Sequence, residues 1–276
     1  MIRCILCVWL MCTLPGMVWA QGGGLTSEDE SALYASTKLV NQFFRRFNGE
    51  EDEKGKRYYE GDRNYRLSKL RQKYLPILFD ASNANISNEL KKAFVTEVAE
   101  KKDQLFLDFH GEDYFAEVNA VFDDSGSESN VIMFMTLQQE RLGYEWVIDD
   151  VDARKYRKLF GKDTTANKKF IHPMSHELDF MTLRKALQDN ERPEDYTPHE
   201  FRPDYLTLFL YELKTGQKAF KTVENVKFHF FQIDGWYFEI SNFNRSGYNT
   251  GWLISNLAKL KPGEDELLKS YLYGKS

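Results

Sequence analysis

Apolar residues in the first third of the chain recur at helical spacing. The clearest stripe lies in residues 27–47, where a Ser27–Glu30 capping box precedes a face rich in Leu and Phe. Shorter patterns of the same period cover residues 64–75 and 87–98. We therefore expect three helices before residue 100.

Beyond residue 113 the hydrophobic period changes from helical to two. Alternating segments at residues 114–122, 131–138 and 146–151 are separated by short polar turns, such as the one at 123–126. Connections this short exclude crossover helices, so the three strands should form an antiparallel meander.

The second half repeats this order after a polar, aperiodic linker at residues 161–169. A helix is predicted at 175–187, and Asp234–Gly235 is a strong signal for a tight turn between two strands. The predicted strands are 205–213, 223–233, 236–243 and one that starts at 251, followed by a short helix over 264–271.

An internal repeat relates the two halves. Placing residue 252 on residue 146, an offset of 106, aligns the segment Trp-Val-Ile-Asp-Asp-Val at 146–151 with Trp-Leu-Ile-Ser-Asn-Leu at 252–257. The strands that precede these segments align at the same offset. The order of elements and this motif together indicate a duplication.

The composition narrows the class of protein. Its 276 residues are 42% hydrophobic and 15% aromatic, which is ample for a packed core and excludes a disordered chain. The net charge of −5 argues against a nucleic-acid binder, which normally carries a basic surplus. We therefore expect no nucleic-acid partner.

The first twenty residues have the pattern of a signal peptide. Arg3 is their only charged residue, an apolar run covers residues 4–14, and Ala20 precedes the predicted cleavage site. The apolar run of eleven residues is too short for a bilayer, which needs roughly 20. No later apolar run reaches that length, so we expect a periplasmic or secreted chain without a transmembrane segment after cleavage.

All three cysteines lie inside this leader. The mature chain therefore contains no disulfide, no thiolate nucleophile and no cysteine-ligated metal. An exported chain of this size without cysteine is typical of bacteria.

The first half resembles the NTF2-like (cystatin-like α+β) superfamily. The likeness rests on the helix at residues 33–47, the meander at 114–151 and the segment at 146–151, which is similar to the last strand of secreted bacterial NTF2-like modules. It implies an α+β fold in which helices pack on curved antiparallel sheets, with two modules in tandem at 21–162 and 170–276. The second half departs from the pattern, because Ser255–Asn256 replace Asp149–Asp150.

Few residues are candidates for a binding site. In NTF2-like enzymes, a buried Asp or His with a Tyr partner does acid–base chemistry. Here Asp108, His110 and Tyr114 cluster where the first meander begins, and Trp236 lies in an aromatic run of the second half. Acidic neighbours and Gly111 place His110 in an exposed turn, which argues against catalysis. We regard these four residues as weak candidates for ligand binding and none as catalytic.

Other polar motifs have structural interpretations. Asp149 and Asp150 are adjacent on a predicted strand and should point to opposite faces, which excludes an acid–base dyad. Pro173 separates His172 from His176, so we predict no metal site there and no cofactor. His229 is expected to be a hydrogen-bonded sheet histidine.

The predicted function is that of an exported, non-catalytic binding or interaction protein of the bacterial envelope. Its partner would be a small molecule, a peptide or an envelope protein, and a homodimer stays open. The alternative is an NTF2-like enzyme of the isomerase, hydratase or cyclase type that uses a carboxylate in the first module.

Overall fold

A computed structural model describes residues 39–100, 102, 104–160, 188, 193–198, 201–247 and 249–273. The predicted signal peptide, the linker at 161–169, the helix at 175–187 and the histidines at 172 and 176 lie outside these residues. They stay predictions.

The described part contains six α-helices, two short 3-10 helices and six strands. The helices are α1 Val40–Asn48, α2 Ser68–Tyr74, α3 Asn88–Ala99, α4 Arg154–Leu159, α5 Tyr205–Lys214 and α6 Glu264–Leu272, with 3-10 helices at Leu75–Leu78 and Pro193–Tyr196. The strands are β1 Tyr114–Asp124, β2 Ser127–Glu140, β3 Gly143–Ala153, β4 Lys218–Phe230, β5 Trp236–Phe243 and β6 Gly251–Lys259.

All six strands belong to one antiparallel sheet in the order β3-β2-β1-β4-β5-β6. Both predicted meanders are present, and they join through their first strands, β1 and β4. The α+β class is therefore confirmed, with one continuous sheet in place of two. The division into modules at 21–162 and 170–276 stays a prediction.

The motif at the end of the first meander contains a β-bulge. Trp146, Ile148 and Val151 all pack toward the main core, although strict alternation would turn residue 151 away. The pairing of β2 with β3 shifts register so that Asp149 has no partner on β2. The Asp150 carboxylate accepts a hydrogen bond from the Val151 amide at 2.8 Å.

The corresponding strand of the second meander has the same bulge. The register of β5 with β6 skips Ser255, and the Asn256 side chain accepts from the Leu257 amide at 2.9 Å. Both features lie 106 residues after their counterparts in β3. Asn119 and Asn225, also separated by 106 residues, face each other where β1 pairs with β4. These coincidences agree with the offset found in the sequence.

The bulge interrupts the strict alternation on which the prediction for Asp149 and Asp150 rests, because it sets two successive residues against one partner. Burial, together with the charges of both carboxylates, raises the pKa of Tyr273 to about 12. That Asp149 and Asp150 point to opposite faces stays a prediction.

The strand predicted at residues 205–213 is wrong, because this segment forms α5. The Asp204 carboxylate caps the helix by accepting from the amides of Leu206 and Thr207 at 3.0 and 3.3 Å. Phe209 is buried on the inner face of the helix. A segment in which most residues are apolar fits both the helical period and the strand period. Here the Asp204 cap favours the helix.

An ionic cluster joins the two meanders at one end; its Lys218 is buried, whereas Lys155 remains 40% exposed. Lys218 on β4 lies 3.1 Å from Asp124 at the end of β1, and Lys155 on α4 lies 2.8 Å from Glu212 on α5. The Tyr156 hydroxyl donates to Glu212 at 2.8 Å. The two ammonium groups balance the two carboxylates, which makes this burial of charge tolerable.

The main core lies between α1–α5 and one face of the sheet. Phe238 on β5 is central to it: its ring stacks on Phe230 at 4.7 Å and on Phe47 at 5.8 Å, and meets Phe94 edge-on at 5.7 Å. Strands β4 and β5 are thereby joined to α1 and α3 by one group of aromatic rings.

Helix α6 packs on the opposite face of the sheet. It covers a smaller cluster of four buried side chains through Leu268, Leu272 and the following Tyr273. The covered residues are Phe115, Phe134, Phe231 and Tyr237.

Replacing Phe238→Ala should lower the free energy of unfolding by about 3–5 kcal/mol, because the ring is fully buried and its neighbours cannot collapse into the space. Urea unfolding measures the change. Leu142→Ala, at a side chain that is 99% exposed, is the matched control and should change stability by less than about 0.5 kcal/mol. A loss as small as the control's would show that this ring is not central to the core.

Candidate functional site

Two of the predicted site residues lie in a surface turn before β1. The His110 amide donates to the Asp108 carboxylate at 2.9 Å, and the His110 ring stacks on Tyr144 at 4.5 Å. Gln232 fixes the turn by donating to the Asp108 carbonyl at 2.8 Å. The expectation that His110 lies in an exposed turn is confirmed.

The other two predicted residues are buried in the main core. Tyr114 stacks on Phe230 at 5.2 Å, and its hydroxyl donates to the Phe109 carbonyl at 2.6 Å. Burial raises the pKa of Tyr114. The Trp236 ring is 1% exposed and meets Phe94 edge-on at 5.1 Å. The role of all four residues in ligand binding stays a prediction.

Aromatic side chains fill the space between the helices and the sheet. Those that are less than 2% exposed are Phe43, Phe47, Phe94, Tyr156, Phe209, Phe230, Trp236 and Phe238.

A groove of about 720 Å³ lies instead on the outside of the helical layer, within the usual range of about 300–1,000 Å³ for small-ligand sites. Helix α3 forms one wall. Counted from Asn88, the residues that line this wall lie three, four, seven, eight and twelve positions further on, so they share one face of the helix. They are Asn88, Lys91, Lys92, Val95, Thr96 and Glu100.

The opposite wall is mainly apolar. Pro76 and Ile77 belong to the 3-10 helix that follows α2, and Ile77 remains 45% exposed. Phe79 and Ala81 continue the wall, with Gln72 and Asn249 at its edges.

Polar contacts to the second meander hold this wall in place. The Asp80 amide donates to the Ile254 carbonyl at 3.0 Å, and the Asn249 side chain donates to the Phe79 carbonyl at 2.8 Å. Arg245 lies 2.6 Å from the Asp80 carboxylate. Both halves of the chain therefore shape the groove.

The groove has charges of opposite sign along its length. Lys91 and Lys92 lie on the first two turns of α3, and Glu100 follows its last residue. The Lys91 ammonium lies 5.8 Å from the centre of the Phe79 ring. In the part of the chain that the structure describes, no carboxylate lies within ion-pair distance of either ammonium.

A second polar feature lies on the α6 side of the sheet. The His229 ring is buried, with Nε2 3.0 Å from the Glu117 carboxylate and Nδ1 2.9 Å from the Tyr237 hydroxyl. The hydrogen bond from His229 lowers the pKa of Glu117, so this group is ionised and accepts. A neutral imidazole protonated at Nε2 can donate to Glu117 and accept from Tyr237. The prediction of a hydrogen-bonded sheet histidine is confirmed.

Sequence reasoning missed the other two members of this Glu117–His229–Tyr237 chain. The residues come from β1, β4 and β5, and only the register of these strands brings them together. In the backbone register, His229 lies opposite Glu239 on β5 and opposite Phe115 on β1. Its hydrogen-bond partners are therefore diagonal neighbours and not the residues directly opposite. The period of two on each strand predicts a shared face but not which residues are neighbours.

Among the described residues, no three His, Cys, Asp or Glu side chains group as metal ligands. None of the helices there combines the length and apolar character that a bilayer crossing requires.

Comparison with known proteins finds no match to this chain among family models, curated protein sequences or solved structures. The α+β fold is compatible with the NTF2-like superfamily.

We expect the free energy of unfolding of Glu117→Gln to fall less steeply as the pH is lowered than that of the original chain. The folded state lowers the pKa of Glu117, so its contribution is present at neutral pH and is lost as pH falls through that lowered value. Urea unfolding at a series of pH values between about 7 and 3 measures this dependence. The exposed Glu145→Gln is the control and should follow the original chain; an equal slope for Glu117→Gln would contradict the assignment.

Proposed function

We propose that this protein is an exported, non-catalytic binding protein of the bacterial envelope whose ligand lies in the groove along α3. The observation on which the proposal rests is the contrast between two spaces. The interior beneath the helices is filled with aromatic rings, whereas the outer groove is open, apolar on one wall and flanked by unpaired ammonium groups.

The groove suits a small molecule or a short peptide better than a folded partner. Its volume and its concave shape are typical of sites that enclose most of a small ligand. Its apolar wall would bind the body of the ligand, and the polar side chains of α3 would orient it.

The proposed location rests on the leader at residues 1–20 and on the absence of cysteine after it. We place the mature protein in the periplasm or outside the cell. The duplication of an NTF2-like unit is part of the same proposal, and it is supported by the recurrence of the bulge at an offset of 106 residues.

One observation favours the alternative of an enzyme. Glu117 is a carboxylate of the first meander in direct contact with an imidazole, as acid–base catalysis requires. However, both nitrogens of His229 are engaged, and the ring is 1% exposed. A substrate would have to displace one of these partners, so we favour binding.

Binding in the groove can be tested with N-phenyl-1-naphthylamine, an apolar, uncharged probe that fluoresces when it leaves water. We expect saturable enhancement with the unaltered protein. Thr96→Trp on α3 and Ala81→Trp on the opposite wall should each weaken binding by at least about tenfold, because the indole would occupy the groove.

Leu267→Trp on α6 is the control, since residue 267 is 71% exposed and does not line the groove. Circular dichroism verifies that each variant is folded. Absence of binding by the unaltered protein, or equal binding by the control and both groove variants, would contradict the proposed site.

A further inference from the structure

We infer that the ligand is a short apolar peptide with free termini, which lies along α3 with its carboxylate at Lys91 and Lys92 and its amino group at Glu100. This inference rests on the proposed function and names the class of ligand for the same groove. It follows from the arrangement of charge, the length of the helix and the chemistry of the walls.

Two unpaired cations mark one end of the groove. Lys91 extends across Phe79, which keeps its ammonium at the groove and not in open solvent. Lys92 lines the same stretch. A ligand carboxylate at this end would supply the anionic partner that the described residues do not provide.

An acidic group marks the other end. Glu100 follows Lys91 by nine positions, which corresponds to about 14 Å along a helix. An extended peptide advances about 3.3 Å per residue, so roughly four residues would place its two terminal charges at the two ends. A fatty acid offers only the carboxylate and would leave its methyl end beside Glu100.

The walls between these ends suit the remainder of a peptide. Pro76, Ile77, Phe79 and Val95 present apolar surface to side chains. Asn88 on α3 and Gln72 on α2 both line the groove. Their side-chain amides can form hydrogen bonds with a peptide backbone but not with a hydrocarbon chain. Apolar side chains and polar main-chain groups can therefore be accommodated together.

The test uses the peptide Leu-Ala-Val-Leu in three forms: with free termini, N-acetylated and C-amidated. Isothermal titration calorimetry with the full mature chain measures each affinity. The free peptide should bind best, and each blocked form should bind between about two- and fivefold more weakly, the range of an exposed ion pair. Thr96→Trp should abolish binding of all three forms.

Matched variants assign each terminus to its end of the groove. Glu100→Gln should remove the difference between the free and acetylated peptides while keeping the effect of amidation. The double variant Lys91→Ala with Lys92→Ala should do the reverse. Glu145→Gln, at an exposed acid on β3 away from the groove, is the control for a general change of charge and should keep both differences.

The outcomes separate this inference from the proposed function. If the uncharged probe binds in the groove but no form of the peptide does, the peptide inference is overturned and the binding site stands. If decanoate displaces the probe and the peptide does not, the ligand is an anionic amphiphile and the inference is again overturned. If the probe does not bind either, both proposals fail.

Discussion

The contact of one phenylalanine ring with rings from three other elements holds the helical layer on the sheet. Phe238 on β5 touches Phe230 of β4, Phe47 of α1 and Phe94 of α3. Apolar burial is the main favourable term in folding, and here much of it is concentrated in aromatic contacts. Because Phe94 anchors α3 from the inside, the face of α3 that lines the groove is positioned by the same contact.

A buried arginine fixes the helices relative to one another. The Arg71 guanidinium on α2 donates to the carbonyls of Phe47, Val98 and Leu105, near the ends of α1 and α3, at 3.1, 3.2 and 2.6 Å. Burial lowers the pKa of Arg71 to about 10. Gly49 packs directly against it with a φ of +74°, and a Cβ there would lie 2.7 Å from the Arg71 side chain. Neutral carbonyls therefore stabilise a charge that has no close carboxylate partner among the described residues.

The sequence predicts those parts of the fold that depend on local pattern. Alternation revealed both meanders, and Trp146, Ile148 and Val151 could have revealed the bulge, because three apolar residues at this spacing share a face only if one residue is inserted between the last two. The pattern could not distinguish helix from strand at residues 205–213, where nearly every position is apolar. It also could not predict the groove or the contact of Glu117 with His229, because both depend on the packing of segments more than a hundred residues apart.

The strand order is symmetric about the centre of the sheet. Outward from the centre, the first meander runs β1-β2-β3 and the second runs β4-β5-β6. β1 and β4 lie side by side at the centre, with Asn119 opposite Asn225. One half alone would expose the unpaired backbone of its first strand to other chains. Two copies of such a half could satisfy that edge by pairing with each other. In the single chain, β1 and β4 satisfy that edge for each other, so the first strand of neither meander lies at an edge of the sheet.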